Sequence, residues 1–233
     1  MSQEDGLWQP RGTVARWIVL VAMTVNLVAS LALALVLRDA TAAGGGVAER
    51  TAFLVAHPIA VPVAWYSWIV ASFGLVAIFF TITRAIPGQR ALGRLILLLL
   101  LLGSVPDICN NLIGAAILPE LAEQYVTATG PLKEAIAIDF ITWDRFSVLL
   151  TGVLGNFFYG LAGFALALAM RRTPDMPRPL VWLSLPLWTA TLGIVVASVV
   201  DSVPLLIGSV AITMTLFCIW CTGIALTYLG RTA

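Results

Sequence analysis

The sequence predicts an all-α bundle that crosses a membrane six times. Hydrophobic residues make up 60% of the 233 and charged residues only 11%, whereas a soluble domain carries about a quarter. Six continuous apolar stretches, at residues 15–37, 59–83, 92–118, 146–170, 179–200 and 203–229, each reach the roughly 20 residues that a helix needs to cross a bilayer core. Because these runs are continuous and not alternating, a closed β-barrel is excluded. The chain reads as a single transmembrane domain over residues 1–233, too short to add a sizeable soluble domain.

The first stretch follows Arg11 and Arg16 and contains Ala32-Leu33-Ala34, a loose likeness to a signal peptide. Its apolar run is too long for a signal core, so an uncleaved span is expected. Between it and the second stretch, Ala42-Ala43-Gly44-Gly45-Gly46 predicts a flexible loop. Residues 119–143 separate the third and fourth stretches. Pro119 and Pro131 suit first helical turns there, and Leu132, Ala135, Ile136, Phe140, Ile141 and Trp143 recur near helical spacing. A short helix lying at the outer interface is the expectation. The last two stretches are divided only by Val200-Asp201-Ser202-Val203-Pro204, a tight helical hairpin in which Asp201 is expected to cap the final helix.

Orientation follows from basic residues, which favour the cytoplasmic side. With the N-terminus inside, Arg11, Arg16, Arg84, Arg90, Arg94, Arg171, Arg172, Arg178 and Arg231 are all inner, and only Arg38, Arg50, Lys133 and Arg145 are outer. The carboxylates of Asp39, Glu49, Glu120, Glu123, Glu134, Asp139, Asp144 and Asp201 fall outside. Both termini are therefore expected in the cytoplasm. Asp144 and Arg145 read as a solvated local pair at the outer edge of the fourth span, and Trp17, Trp68, Trp143 and Trp182 as interfacial anchors.

The third span holds the residues most able to carry chemistry. Gly103, Asp107, Asn110, Asn111 and Gly114 recur at steps of three and four and share one helix face, with Pro106 expected to kink the helix. An intramembrane carboxylate is expensive and marks a functional site by default. The fourth span presents Gly152, Gly155, Asn156, Tyr159, Gly160 and Gly163 at similar spacing. Glycines admit close helix approach and polar side chains hydrogen-bond across the contact, so the two stripes are expected to face each other. Asn26, Ser72 and Thr189 fall near the same depth. A ligand-binding site for a small apolar or amphiphilic molecule, built from Asp107, Asn110, Asn111, Asn156, Tyr159 and Asn26, is one reading. The other is a hydrogen-bonded packing network.

Near-neutral charge argues against a nucleic-acid partner. His57 is the single histidine, so two-histidine haem ligation is out, and no Cys/His cluster has zinc spacing. No cofactor or metal is expected. Cys218-Ile219-Trp220-Cys221 lies inside a span, where thiols lack the access that redox chemistry needs. There is no P-loop, no H-E-x-x-H and no G-x-S-x-G. Lys133, the sole lysine, lies outside the spans, which removes a retinal-type Schiff base.

Trp143-Asp144-Arg145, the Gly/Asn/Tyr-bearing fourth span, Arg172-Thr173-Pro174 with Pro177-Arg178, and Trp182 with Trp188 form a recurring layout. Over residues 143–190 this resembles a group of uncharacterised bacterial six-span membrane proteins. The resemblance implies a bacterial inner membrane protein and carries no activity with it. Three functions stay open: amphiphile binding, with or without movement of the ligand; an accessory or scaffold subunit of a membrane complex; and an intramembrane enzyme acting on a lipid or isoprenoid with Asp107 as general acid.

Overall fold

The structure, a computed structural model, describes residues 12–230. Arg11 and Arg231, used above for orientation, lie outside the described residues. The α-helices are α1 (Thr13–Ala32), α2 (Val47–Ala56), α3 (Ala60–Ala85), α4 (Arg90–Leu112), α5 (Leu118–Thr127), α6 (Gly130–Val148), α7 (Asn156–Arg171), α8 (Arg178–Val199) and α9 (Val203–Thr227). No strand occurs among the described residues. Six helical stretches are long and apolar enough to cross a membrane, in agreement with the six expected.

These six stretches close into a ring. α1 packs on α3, α3 on α4, α4 on α7, α7 on α8, α8 on α9, and α9 returns to α1. Short connections make neighbours in sequence neighbours in space, and the ring closes where the Gly12 N–H donates to the Leu229 carbonyl at 3.0 Å. The end of the bundle where the described chain begins and finishes is called the closure end here.

One apolar cluster fills that end. Trp188 sits edge-on to both Phe79 and Trp220, and Trp220 donates through Nε1 to Ser184 Oγ at 2.8 Å. Tyr228 inserts its hydroxyl against the Ala85 carbonyl at 2.8 Å. A second cluster, with Leu37, Leu54, Val61, Ile113, Leu118 and Phe140, occupies the opposite end.

That opposite end departs most from expectation. The third span does not stop near residue 118. α4 runs unbroken across Pro106, passes through a π-helical stretch (Ile113–Ile117) and continues as α5, so that Arg90–Thr127 is one helical segment. The fourth does the same in reverse: α6 passes through a π stretch (Leu149–Gly155) into α7, giving Gly130–Arg171. The expected short, separate interfacial helix is therefore the first half of a 42-residue helix. At 1.5 Å per residue that is ~63 Å, about twice a bilayer core. α5 and α6 form a hairpin that turns at Ala128-Thr129, with Gly130 at φ +59°, a left-handed conformation that suits a residue without a Cβ.

The glycine-rich connection is also ordered into helix. Residues 47–56 form α2, which packs on α5. Arg50, buried on α2, donates from both terminal guanidinium nitrogens to the Asp144 carboxylate on α6, and its Nε donates to the Ala40 carbonyl at 3.1 Å. The guanidinium lies 5.1 Å from the centre of the Phe140 ring. Asp144 and Arg145 are thus not a local pair. They point to different partners because adjacent residues on a helix are about 100° apart. Arg145 reaches across to Asp201 Oδ1 at 2.7 Å and the Ser198 carbonyl at 3.0 Å. Asp201, at φ +56°, is consequently held by Arg145 and makes no capping bond to α9.

Candidate functional site

A close helix approach at Gly103 positions the central polar group. A Cβ on Gly103 would come within 2.7 Å of the Tyr159 ring and 3.0 Å of the Gly155 carbonyl, and one on Gly155 would sit 3.8 Å from the Asp107 Cβ. The bare backbone of Gly103 lets α4 and the α6–α7 helix approach closely, whereas a Cβ on Gly155 would make only ordinary van der Waals contacts. Asp107, one turn from Gly103, is thereby aimed into the junction of three helices and is buried.

Its carboxylate meets a hydroxyl from each neighbouring segment. Ser72 Oγ on α3 lies 2.6 Å from Oδ2, Tyr159 Oη on α7 lies 3.1 Å from Oδ2, and Thr151 Oγ1 in the π stretch lies 2.8 Å from Oδ1. Ser104 completes the group, giving its proton to the Leu100 carbonyl and offering Oγ to Tyr159 at 3.4 Å. No cation among the described residues pairs with Asp107. A carboxylate accepts at roughly four lone-pair positions, and three are engaged here. The arrangement ties α3, α4 and α7 together, and a ligand reaching the carboxyl would have to displace a hydroxyl.

The sequence-predicted residues divide around this group. Asp107 and Tyr159 come together as expected. Asn156 is half-buried and donates to the Thr151 carbonyl at 2.7 Å, serving the π stretch and not Asp107. Asn26 clamps α1 to α3, donating to Ala22 and Ala71 carbonyls at 2.9 and 3.2 Å. Asn110 and Asn111 lie one turn from Asp107 toward the hairpin, where Asn110 donates to Asn111 Oδ1 at 3.1 Å. Thr189 is exposed and outside the layer.

The fourth-span stripe splits in two. Gly155 and Tyr159 face α4, whereas Gly152, Gly160 and Gly163 face α8, against Ser198, Leu192 and the Trp188 ring respectively. Thr151 and Ser104 were missed by sequence reasoning. Both stand at three or four residues from group members (Thr151 from Gly155, Ser104 from Asp107), a spacing that was available. Serine and threonine are common in membrane helices, where they bond to their own backbone, so they carry little signal.

On the hairpin side of Asp107 lies a second feature. Trp68 is one turn from Ser72 on α3, and Asn111 is one turn from Asp107 on α4. The Ser72–Asp107 contact places both at one level of two antiparallel helices. Trp68 Nε1 and Asn111 Nδ2 are buried and have no hydrogen-bond partner. Trp68 is thus embedded beside the second apolar cluster, unlike Trp17, Trp143 and Trp182, which are exposed. The C-x-x-C pair consists of free thiols, with Cys221 buried.

Fold and site together define a helical protein of the multi-pass membrane class. The chain matches no protein-family model, no curated protein and no solved structure.

Proposed function

We propose that this is a multi-pass protein of the bacterial cytoplasmic (inner) membrane, with both termini cytoplasmic, that binds a small apolar or amphiphilic molecule beside its intramembrane polar layer. The bias of basic residues toward one set of connections supports the orientation. The resemblance over residues 143–190 supports the bacterial membrane.

One observation supports the ligand: of six buried polar atoms without a hydrogen-bond partner among the described residues, two, Trp68 Nε1 and Asn111 Nδ2, stand at one level of adjacent helices. Buried donors in native proteins are nearly always paired, so two at one level call for an acceptor oxygen. A carbonyl, ether or hydroxyl oxygen of an amphiphile supplies it, with the apolar remainder lying against the second cluster. Asp107 and Tyr159 form the floor of this site. Asn110 holds Asn111 in place, while Asn26 and Asn156 are committed elsewhere. Movement of the ligand across the membrane would be an additional step.

The test is native mass spectrometry of protein gently extracted from its own membrane, beside Asn111→Leu and Asp107→Ala. The expected outcome is a small-molecule adduct on the wild type that Asn111→Leu loses. Bare protein in all three samples would sink the reading.

A second reading, an accessory subunit of a membrane complex, is favoured by α6. That helix exposes Ile138, Ile141, Trp143 and Phe146 as well as the polar Glu134, Asp139 and Thr142. A stoichiometric protein partner on wild type and variants alike would select it. An enzyme acting on a lipid or isoprenoid is supported least, because its general acid would be a carboxyl already held by three hydroxyls.

A further inference from the structure

Between the last turns of α7 and the first turns of α8 runs an open groove of about 520 Å³. Each helix lines it with the same spacing. α7 contributes Phe164, Leu168 and Arg171, and α8 contributes Arg178, Trp182 and Leu185, in each case positions i, i+4 and i+7 taken from one end or the other. Because the helices are antiparallel, both arginines stand at one mouth of the groove and the apolar residues extend ~10 Å from them along the helices. Trp182 is 69% exposed, so nothing in the bundle covers that wall.

The charge at the mouth is positive. The segment 171–178 holds Arg171, Arg172 and Arg178 against one carboxylate, Asp175, which has an interaction of its own. Arg178 donates from Nη1 to the Arg171 carbonyl at 3.0 Å, which fixes it over the end of α7. The Arg171 guanidinium has no ion-pair partner among the described residues. Both arginines are also the planar donors that suit a phosphate.

We infer that this groove is a seat for an anionic phospholipid, its phosphate held between Arg171 and Arg178 and an acyl chain lying along Leu168, Trp182, Leu185 and Phe164. The match is one of charge and of shape: a basic mouth at the helix ends, where headgroups lie, opening on an apolar trough that runs toward the bilayer centre. Basic pockets between transmembrane helices are a recurring way to hold such headgroups. The inference needs only that the helices span a membrane and is independent of any ligand beside Asp107.

The experiment titrates the full-length, detergent-purified protein with dioleoylphosphatidylglycerol or dioleoylphosphatidylcholine and counts retained lipid by native mass spectrometry. Wild type should retain one phosphatidylglycerol about fivefold or more in preference to phosphatidylcholine, the size expected for one arginine contact. Arg171→Gln removes no bond made by its side chain within the described bundle and should abolish the preference. Leu168→Trp, which fills the trough and keeps both arginines, should lower retention of both lipids. Glycerol 1-phosphate, which has the anion without chains, should not compete. Equal retention of the two lipids would overturn the proposal. So would an equal loss in Arg94→Gln, which would mean charge adsorption at the arginine-rich face, or full competition by glycerol 1-phosphate, which would mean an anion site only.

Discussion

Around Trp220 the bundle is held by interlocking rings; around Arg50 it is held by ions. At the closure end, Phe79, Trp188, Phe217 and Trp220 form a run of contacting aromatic side chains with Gly163 pressed under the Trp188 ring. At the hairpin end, a buried guanidinium joins α2 to α6, and Arg145 joins the fourth span to Asp201. The three π-helical stretches among the described residues, Leu33–Leu37, Ile113–Ile117 and Leu149–Gly155, lie in the hairpin half or at its border with the polar layer. Lipid gives helices no hydrophobic reason to associate, so within it shape complementarity must hold them. A helix pair that projects past the bilayer meets water and can use charge. The contrast between the halves follows the two solvents.

Removing one ion should break the hairpin half most severely. Arg50→Ala leaves Asp144 without its partner in a largely buried setting, and a loss of about 3–5 kcal/mol is expected. Arg50→Met with Asp144→Leu should recover most of that loss, because an apolar pair of similar volume needs no desolvation. Thermal unfolding in detergent, followed by circular dichroism, measures both. A double variant as unstable as the single would show that the ions do more than fill space. At the closure end, Gly163→Ala pushes a methyl into the Trp188 ring, with an expected cost of about 1–3 kcal/mol. The same measurement reads it, and an unchanged midpoint would mean that the aromatic stack is loose. Tyr159→Phe, at the border between the halves, removes one of three hydroxyls from Asp107. About 0.6 kcal/mol is the expectation for a side-chain hydrogen bond between membrane helices. A cost of several kcal/mol in reversible unfolding would identify Tyr159 as the keystone of the layer.

The number and sequence positions of the spans were legible because an apolar run of bilayer length is a strong signal. α3, α8 and α9 begin and end close to the expected residues. The hairpin half was less legible. Residues 119–143 are polar enough to leave a membrane, and an amphipathic helix at a surface has the same pattern as one packed upright against a neighbour. Only the tertiary contacts of Leu118, Ala122, Ile136 and Phe140 decide between them. Gly44 illustrates the same limit: three glycines read as a flexible tract, yet a Cβ on Gly44 would overlap the Asp39 backbone, so the residue serves compactness. At the candidate site, Asp107 and Tyr159 stood out by residue type and spacing. The destinations of Asn156 and Asn26 did not, because an asparagine that bonds to a nearby backbone carbonyl looks in sequence like one that bonds to a ligand.

The π stretch at Leu149–Gly155 has a consequence for how the long fourth helix is phased. Each residue advances an α-helix by roughly 100°, and a π turn absorbs one more residue than an α turn. This stretch therefore sets the angular offset between two loads on the same rod, Asp144 facing Arg50 above it and Tyr159 facing Asp107 below. Were the same residues wound as regular α-helix, with none lost, one load would swing by roughly 100° relative to the other, so that the ion pair and the polar layer could no longer be met together. The stretch acts as a gear tooth: it lets one helix keep two appointments, one in the polar layer and one in the hairpin, that a regular helix of this sequence could not both keep.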